Sequence, residues 1–137
     1  MGTLFVILRN VNTMNKIYFL ILLALFSCSK EKKCNTEKEF FVDRIDAPLE
    51  GLINQNVHIE AVITLSGCMS FKAFEAKGSG KDRTIVPVVN IDNCSICPAV
   101  IQEFSAIYSF VPKEKGIYTL RFKSGENTYL QTAINIE

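Results

Sequence analysis

The chain has 137 residues, of which 48% are hydrophobic and 21% charged, with five Cys, one His, no Trp and a formal charge of +1. That length builds one domain rather than two, and the near-neutral balance excludes a nucleic-acid binder held by a basic face. The apolar content excludes a disordered chain, and a lone His excludes any site assembled from several histidines.

Residues 1–27 read as an export signal. Asn15 and Lys16 precede ten apolar residues, Ile17 to Phe26, which stop at Ser27 and Cys28 before a charged stretch. These are the positive, apolar and small-residue regions of a secretion signal. The apolar run falls well short of the roughly 20 residues that cross a bilayer as a helix. Leu25-Phe26-Ser27-Cys28 resembles the lipobox of bacterial lipoproteins. The resemblance implies a cut before Cys28 and a diacylglycerol on its thiol. Phe26 departs from the small or aliphatic residue usual at that position, and the alternative is an ordinary signal peptide with a plain thiol at Cys28. Met14-Asn15-Lys16 makes a conventional signal start, so residues 1–13 are expected to be a mis-called extension.

Cleavage before Cys28 leaves 110 residues with 13 basic against 14 acidic side chains, a net charge of −1. Residues 28–39 lack apolar periodicity and are expected to form a polar tether between lipid and domain. Residues 40–137 are expected to form the folded body.

From Phe40 onward the hydrophobic period is two. The expected strands are 40–47, 57–66, 68–76, 84–92, 104–111, 117–123 and 128–136, separated by Gly-, Pro- and Asn-bearing turns. Val57, Ile59, Ala61, Ile63 and Leu65 alternate with His58, Glu60, Val62 and Thr64, which makes one clearly buried face. Pro87 within Ile85–Ile91 points to an edge strand or a bulge. Pro98 followed by Val100 and Ile101 allows a short turn of helix at 98–102. Seven short strands in about 98 residues read as an all-β, immunoglobulin-like sandwich of antiparallel strands.

Cys68, Phe71 and Phe74, the cysteine-bearing loop, Tyr108-Ser109-Phe110, Pro112 and Gly116-Ile117-Tyr118-Thr119-Leu120-Arg121-Phe122 together resemble small Ig-like lipoproteins of the Bacteroidota. The resemblance covers roughly residues 40–137. Its Pro-x-x-x-Gly-x-Tyr-x-Leu-x-Phe element speaks for fold and is nearly silent about function. Gly116 suits a tight corner, and Tyr118 can bury its ring while its hydroxyl finds a backbone partner, as in a tyrosine corner. Surface-exported lipoproteins of that phylum often carry an acidic run after the lipidated Cys. Here Ser29-Lys30-Glu31-Lys32-Lys33 is basic, which favours a periplasm-facing position over surface display.

With Cys28 assigned to lipid, Cys34, Cys68, Cys94 and Cys97 remain for disulfide chemistry. A hairpin centred near residue 80 sets position 68 opposite about 92, which places Cys94 slightly better than Cys97 to bond Cys68. Cys94-Ser95-Ile96-Cys97 ahead of a possible helix start also permits a thiol redox pair, although that chemistry normally sits on a βαβ scaffold. His58 and Glu60 share a polar strand face but lack an identified nucleophile. Catalytic, cofactor and metal residues are expected to be none. The expected protein is thus a lipid-anchored envelope module of the outer membrane, facing the periplasm, non-catalytic, and binding a protein or glycan or serving a structural role. The alternative is a redox protein using Cys94 and Cys97.

Overall fold

The computed structural model describes residues 34–137. Nine strands follow one another: β1 Asn35–Glu39, β2 Arg44–Asp46, β3 Glu50–Gly51, β4 Val57–Ser66, β5 Met69–Ser79, β6 Asp82–Asp92, β7 Ile101–Phe110, β8 Gly116–Lys123 and β9 Tyr129–Ile136. The expected signal of residues 1–27 and the expected lipidation site, Cys28, lie outside the described residues.

In β4, β7, β8 and β9 alternating apolar side chains make the strands and build the core at the same time. Ile59, Ile63 and Leu65 of β4, Tyr108 and Phe110 of β7, Tyr118, Leu120 and Phe122 of β8, and Ile134 and Ile136 of β9 are buried. Each set is spaced by twos, so each strand turns one face inward. The strands form two sheets, β2-β4-β7 and a six-stranded sheet of β1, β3, β5, β6, β8 and β9, in a β-sandwich arrangement. Aromatic rings bridge the sheets, with Phe71 against Phe104 at 5.4 Å, Tyr108 against Phe122 at 5.8 Å and Phe110 against Tyr118 at 5.5 Å between centroids. In a chain without Trp, Phe and Tyr fill the space between the sheets.

The structure corrects the expected layout in five places. Residues 35–39 are not tether but strand β1, paired antiparallel with β6 from Asn35↔Asp92 to Glu39↔Val88. All five side chains are exposed, so no apolar pattern announced the strand. Its pairing is a matter of backbone hydrogen bonds, the Cys34 disulfide and ion pairs, including Glu39 with Lys77 at 2.5 Å and with Lys123 at 2.6 Å. The expected strand 40–47 is reduced to β2, because Phe40 to Asp43 cross between the sheets. The amides of Phe40 and Val42 bond to the carbonyls of Pro87 and Lys123 in one sheet, and that of Asp43 bonds to Val62 in the other.

Pro87 lies in an interior strand, not an edge. β5 runs along one side of β6, and the other side is shared by β1, at Val88–Asp92, and β8, at Asp82–Ile85. An extended residue points its N–H and C=O to the same side, and the Pro87 carbonyl accepts from Phe40. The missing proline donor therefore faces the junction between β1 and β8, where neither ladder uses it. A bulge does occur, but on the partner strand, where the register shifts between Phe71 and Ala73. Finally, the pairing is not all antiparallel: β6–β8 and β3–β9 are parallel. β7 lies in the opposite sheet between β6 and β8, and such a crossover is what a parallel pair requires. The helical turn at 98–102 is absent, since Ile101 already belongs to β7.

Candidate functional site

The four described cysteines meet at one end of β6. Cys34 is bonded to Cys94 and Cys68 to Cys97, with Cα separations of 5.0 and 5.1 Å. The hairpin register behind the expected Cys68–Cys94 bond is right, since the Asp92 amide donates to the Cys68 carbonyl. The pairing differs because β6 is flanked on both sides. The amide of Asn93 donates to the Cys34 carbonyl, so β1 delivers Cys34 beside the same strand end. Past Asp92 the chain then turns, with the Asp92 carboxylate accepting from the Cys94 amide at 2.9 Å and from the Ser95 hydroxyl at 2.5 Å. The Ser95 hydroxyl and then the Cys94 amide hold the Asp92 carboxyl below the usual carboxylate range. This turn leaves Cys94 for β1 and carries Cys97 back to Cys68 beside β5.

Gly67 makes that return possible. A Cβ there would lie 2.1 Å from the Pro98 carbonyl oxygen, so the two backbones touch in a way that only glycine permits. Cys94 and Cys97, the candidate redox pair, are each joined to a neighbouring strand and not to one another.

A second region lies along β7. Among the described residues β4 is its only strand neighbour, in ten consecutive pairs from Val57↔Phe110 to Ser66↔Ile101. The opposite edge of β7 is open. Its outward face carries Ile107, 66% exposed, with Glu103, Ser105 and Ser109. His58 Nδ1 lies 2.7 Å from Ser109 Oγ, and the Ser105 hydroxyl donates to Glu60. A shallow depression of about 350 Å³ lies beside them, lined by Asp46, Ala47, Pro48, His58, Glu60 and Ile107.

Ser109 is the hydroxyl partner of His58 that residue patterns alone did not reveal. It stands 51 residues away, and only the β4–β7 register, His58↔Ser109, brings the two together. The contact is that of a nucleophile and base, but the carboxylate that would orient the imidazole, Glu60, is bound to Ser105 instead. The chemistry on offer at this face is polar recognition around an aliphatic centre at Ile107.

Pro112, Gly116 and Tyr118 lie where the chain passes from β7 to β8. Tyr118 is 3% exposed, its hydroxyl accepts from the Glu114 amide at 3.3 Å, Gly116 adopts φ +120°, and Pro112 is fully buried.

Fold and site together define a class: a two-sheet β module with a doubly disulfide-bonded apex and, on β7, a long open edge free of Pro, Lys and bulge. Comparison with protein families, curated proteins and solved structures gave no match to this chain.

Proposed function

We propose that this chain is a lipid-anchored, Ig-like binding module of the cell envelope. Acyl groups on Cys28 hold it to the outer membrane, it faces the periplasm, and it binds a protein partner without catalysing a reaction. The Ig-like reading is supported by the Tyr118 corner, and by β2 and β3, which pair with different sheets although only three residues separate them.

One observation carries the binding role, the open edge of β7. Ten residues long, it contains no Pro, Lys or bulge, and Glu103 is its one ionised side chain. Natural sheets blunt such edges unless something is meant to pair with them. An extended peptide adding to β7 would gain main-chain hydrogen bonds along the strand and side-chain contacts at Ile107. A strand suits this surface better than a glycan, because the large outward side chain at its centre is aliphatic rather than an aromatic platform. The non-catalytic reading is supported by the open, shallow setting of the His58–Ser109 contact and by the engagement of Glu60 with Ser105.

Photo-crosslinking in intact envelopes tests it. A crosslinker at Ile107 is expected to give a discrete protein adduct that Ser105→Pro abolishes, while one at Glu75 on β5 gives none. Equal labelling at the two positions, or adducts indifferent to Ser105→Pro, would overturn the edge as the binding site.

A further inference from the structure

We infer that the disulfide-bonded apex is a membrane-docking face, with Ile96, Val100 and Ile101 seated in the interfacial layer of the same bilayer that holds the anchor. The inference rests on the reading that Cys28 carries the lipid.

Three observations on the apex converge. Connectivity is the first. Six residues lead from Cys28 to Cys34, and six extended residues reach at most about 20 Å. Cys34 is bonded to Cys94, so the chain coming from the anchor is fastened covalently to this loop and to no other.

Exposure is the second. Ile96 is 99% exposed, Ile101 76% and Val100 54%. A free loop would fold such an isoleucine back onto the body, since burying apolar surface is favourable. Here Cys94 and Cys97 bracket Ile96 and are bonded to Cys34, just before β1, and to Cys68, just before β5, so the side chain is held outward.

The third is charge. From Asn93 to Gln102 ten consecutive residues carry no ionisable side chain other than disulfide-bonded cysteine, in a chain that is 21% charged. Lys30, Lys32 and Lys33 precede this face in the tether and suit anionic headgroups. An uncharged aliphatic tip, in a chain that also carries a basic stretch next to its lipid, has the composition of a protein that lies in the interface without crossing it. Docked in this way, β7 starts at the membrane with Ile101 and runs away from it to Phe110, which presents its open edge to the periplasm.

The absence of Trp supplies the experiment. The lipidated mature protein carries one reporter, Ile96→Trp at the apex or Lys113→Trp at the opposite end, and is reconstituted into phosphatidylethanolamine–phosphatidylglycerol vesicles with brominated acyl chains. Both positions are exposed, so neither variant disturbs the core. Ile96→Trp is expected to emit at shorter wavelength and to be quenched by bromine several-fold more than Lys113→Trp. Equal quenching of the two overturns docking. A blue-shifted Ile96→Trp that bromine does not quench also overturns it, because a second copy then covers the loop. Vesicle flotation of Cys28→Ser separates the two readings. Flotation lost in that variant, with equal quenching of the reporters, sinks docking alone. Flotation unchanged in that variant sinks the anchor and the inference with it.

Discussion

At the end of the sandwich where β6 stops and β7 starts, every residue from Asn93 to Ser105 is exposed, and two disulfides close the structure. At the opposite end the chain turns through Pro112 and Gly116 without a covalent link. There the Tyr118 ring and Pro112 are buried, the Glu114 amide donates to the Tyr118 hydroxyl, and the Asn54 amide donates to the Pro112 carbonyl at 2.9 Å. A loop with nothing to bury gains no hydrophobic stabilisation and is closed by chain-entropy effects instead. A loop that buries a proline and an aromatic ring is closed by packing and a few hydrogen bonds. The same domain uses both solutions, and the covalent one sits where the surface is kept apolar and open.

The largest expected effect comes from removing a covalent closure. Cys68→Ala with Cys97→Ala opens a loop of sequence separation 29 and is expected to cost about 4 kcal/mol in the chain-entropy model. Equilibrium denaturation of the oxidised protein measures it. A loss under about 1 kcal/mol would mean that the apex packs well enough without its bonds and that the contrast between the ends is false.

A smaller effect is expected at the other end. Tyr118→Phe keeps the buried ring and deletes only the hydroxyl that accepts from Glu114, so a loss of about 1 kcal/mol is expected by the same measurement. A cost matching that of the disulfide would make the corner the principal closure of the domain.

The smallest effect concerns β1, held at one end by Cys34 and at the other by Glu39. Side-chain hydrogen bonds from Lys123 and then Lys77 lower the Glu39 carboxyl from 4.5 to about 2. A carboxyl depressed in the folded state binds its proton more readily when unfolded. Its contribution is therefore complete above pH 4.5 and is lost as the pH falls toward 2. Hydrogen exchange of the β1 amides is expected to quicken over that window relative to those of β4, and Glu39→Gln is expected to flatten the difference. Protection of β1 independent of pH in the wild type would show that the disulfide alone holds the strand.

Much of this fold is legible in the residues. The alternation in β4, β8 and β9 marks the faces that the structure buries, and the Gly-bearing turn between β5 and β6 marks a hairpin whose loop is Gly80–Lys81, with Gly80 at φ +67°. Three features were not legible, each for a physical reason. β1 carries no apolar residue, so periodicity has nothing to detect. Pro87 tolerates an interior strand only because two different strands abut its one non-donating side, which is a matter of topology. Ser109 meets His58 only through strand register across 51 residues.

The cysteines divide what sequence and tertiary structure each decide. Composition alone determines that four thiols beyond Cys28 are there for disulfides, and a hairpin centred near residue 80 brings residue 68 close to residue 92, a register that the bulge between Phe71 and Ala73 sets. Which thiol bonds which was decided by β1. By pairing on the far side of β6, it brings Cys34 to Cys94 and leaves Cys97 for Cys68. A strand held by backbone hydrogen bonds, a disulfide and surface ion pairs leaves no hydrophobic pattern in the chain, so only the assembled sheet could reveal the pairing it dictates.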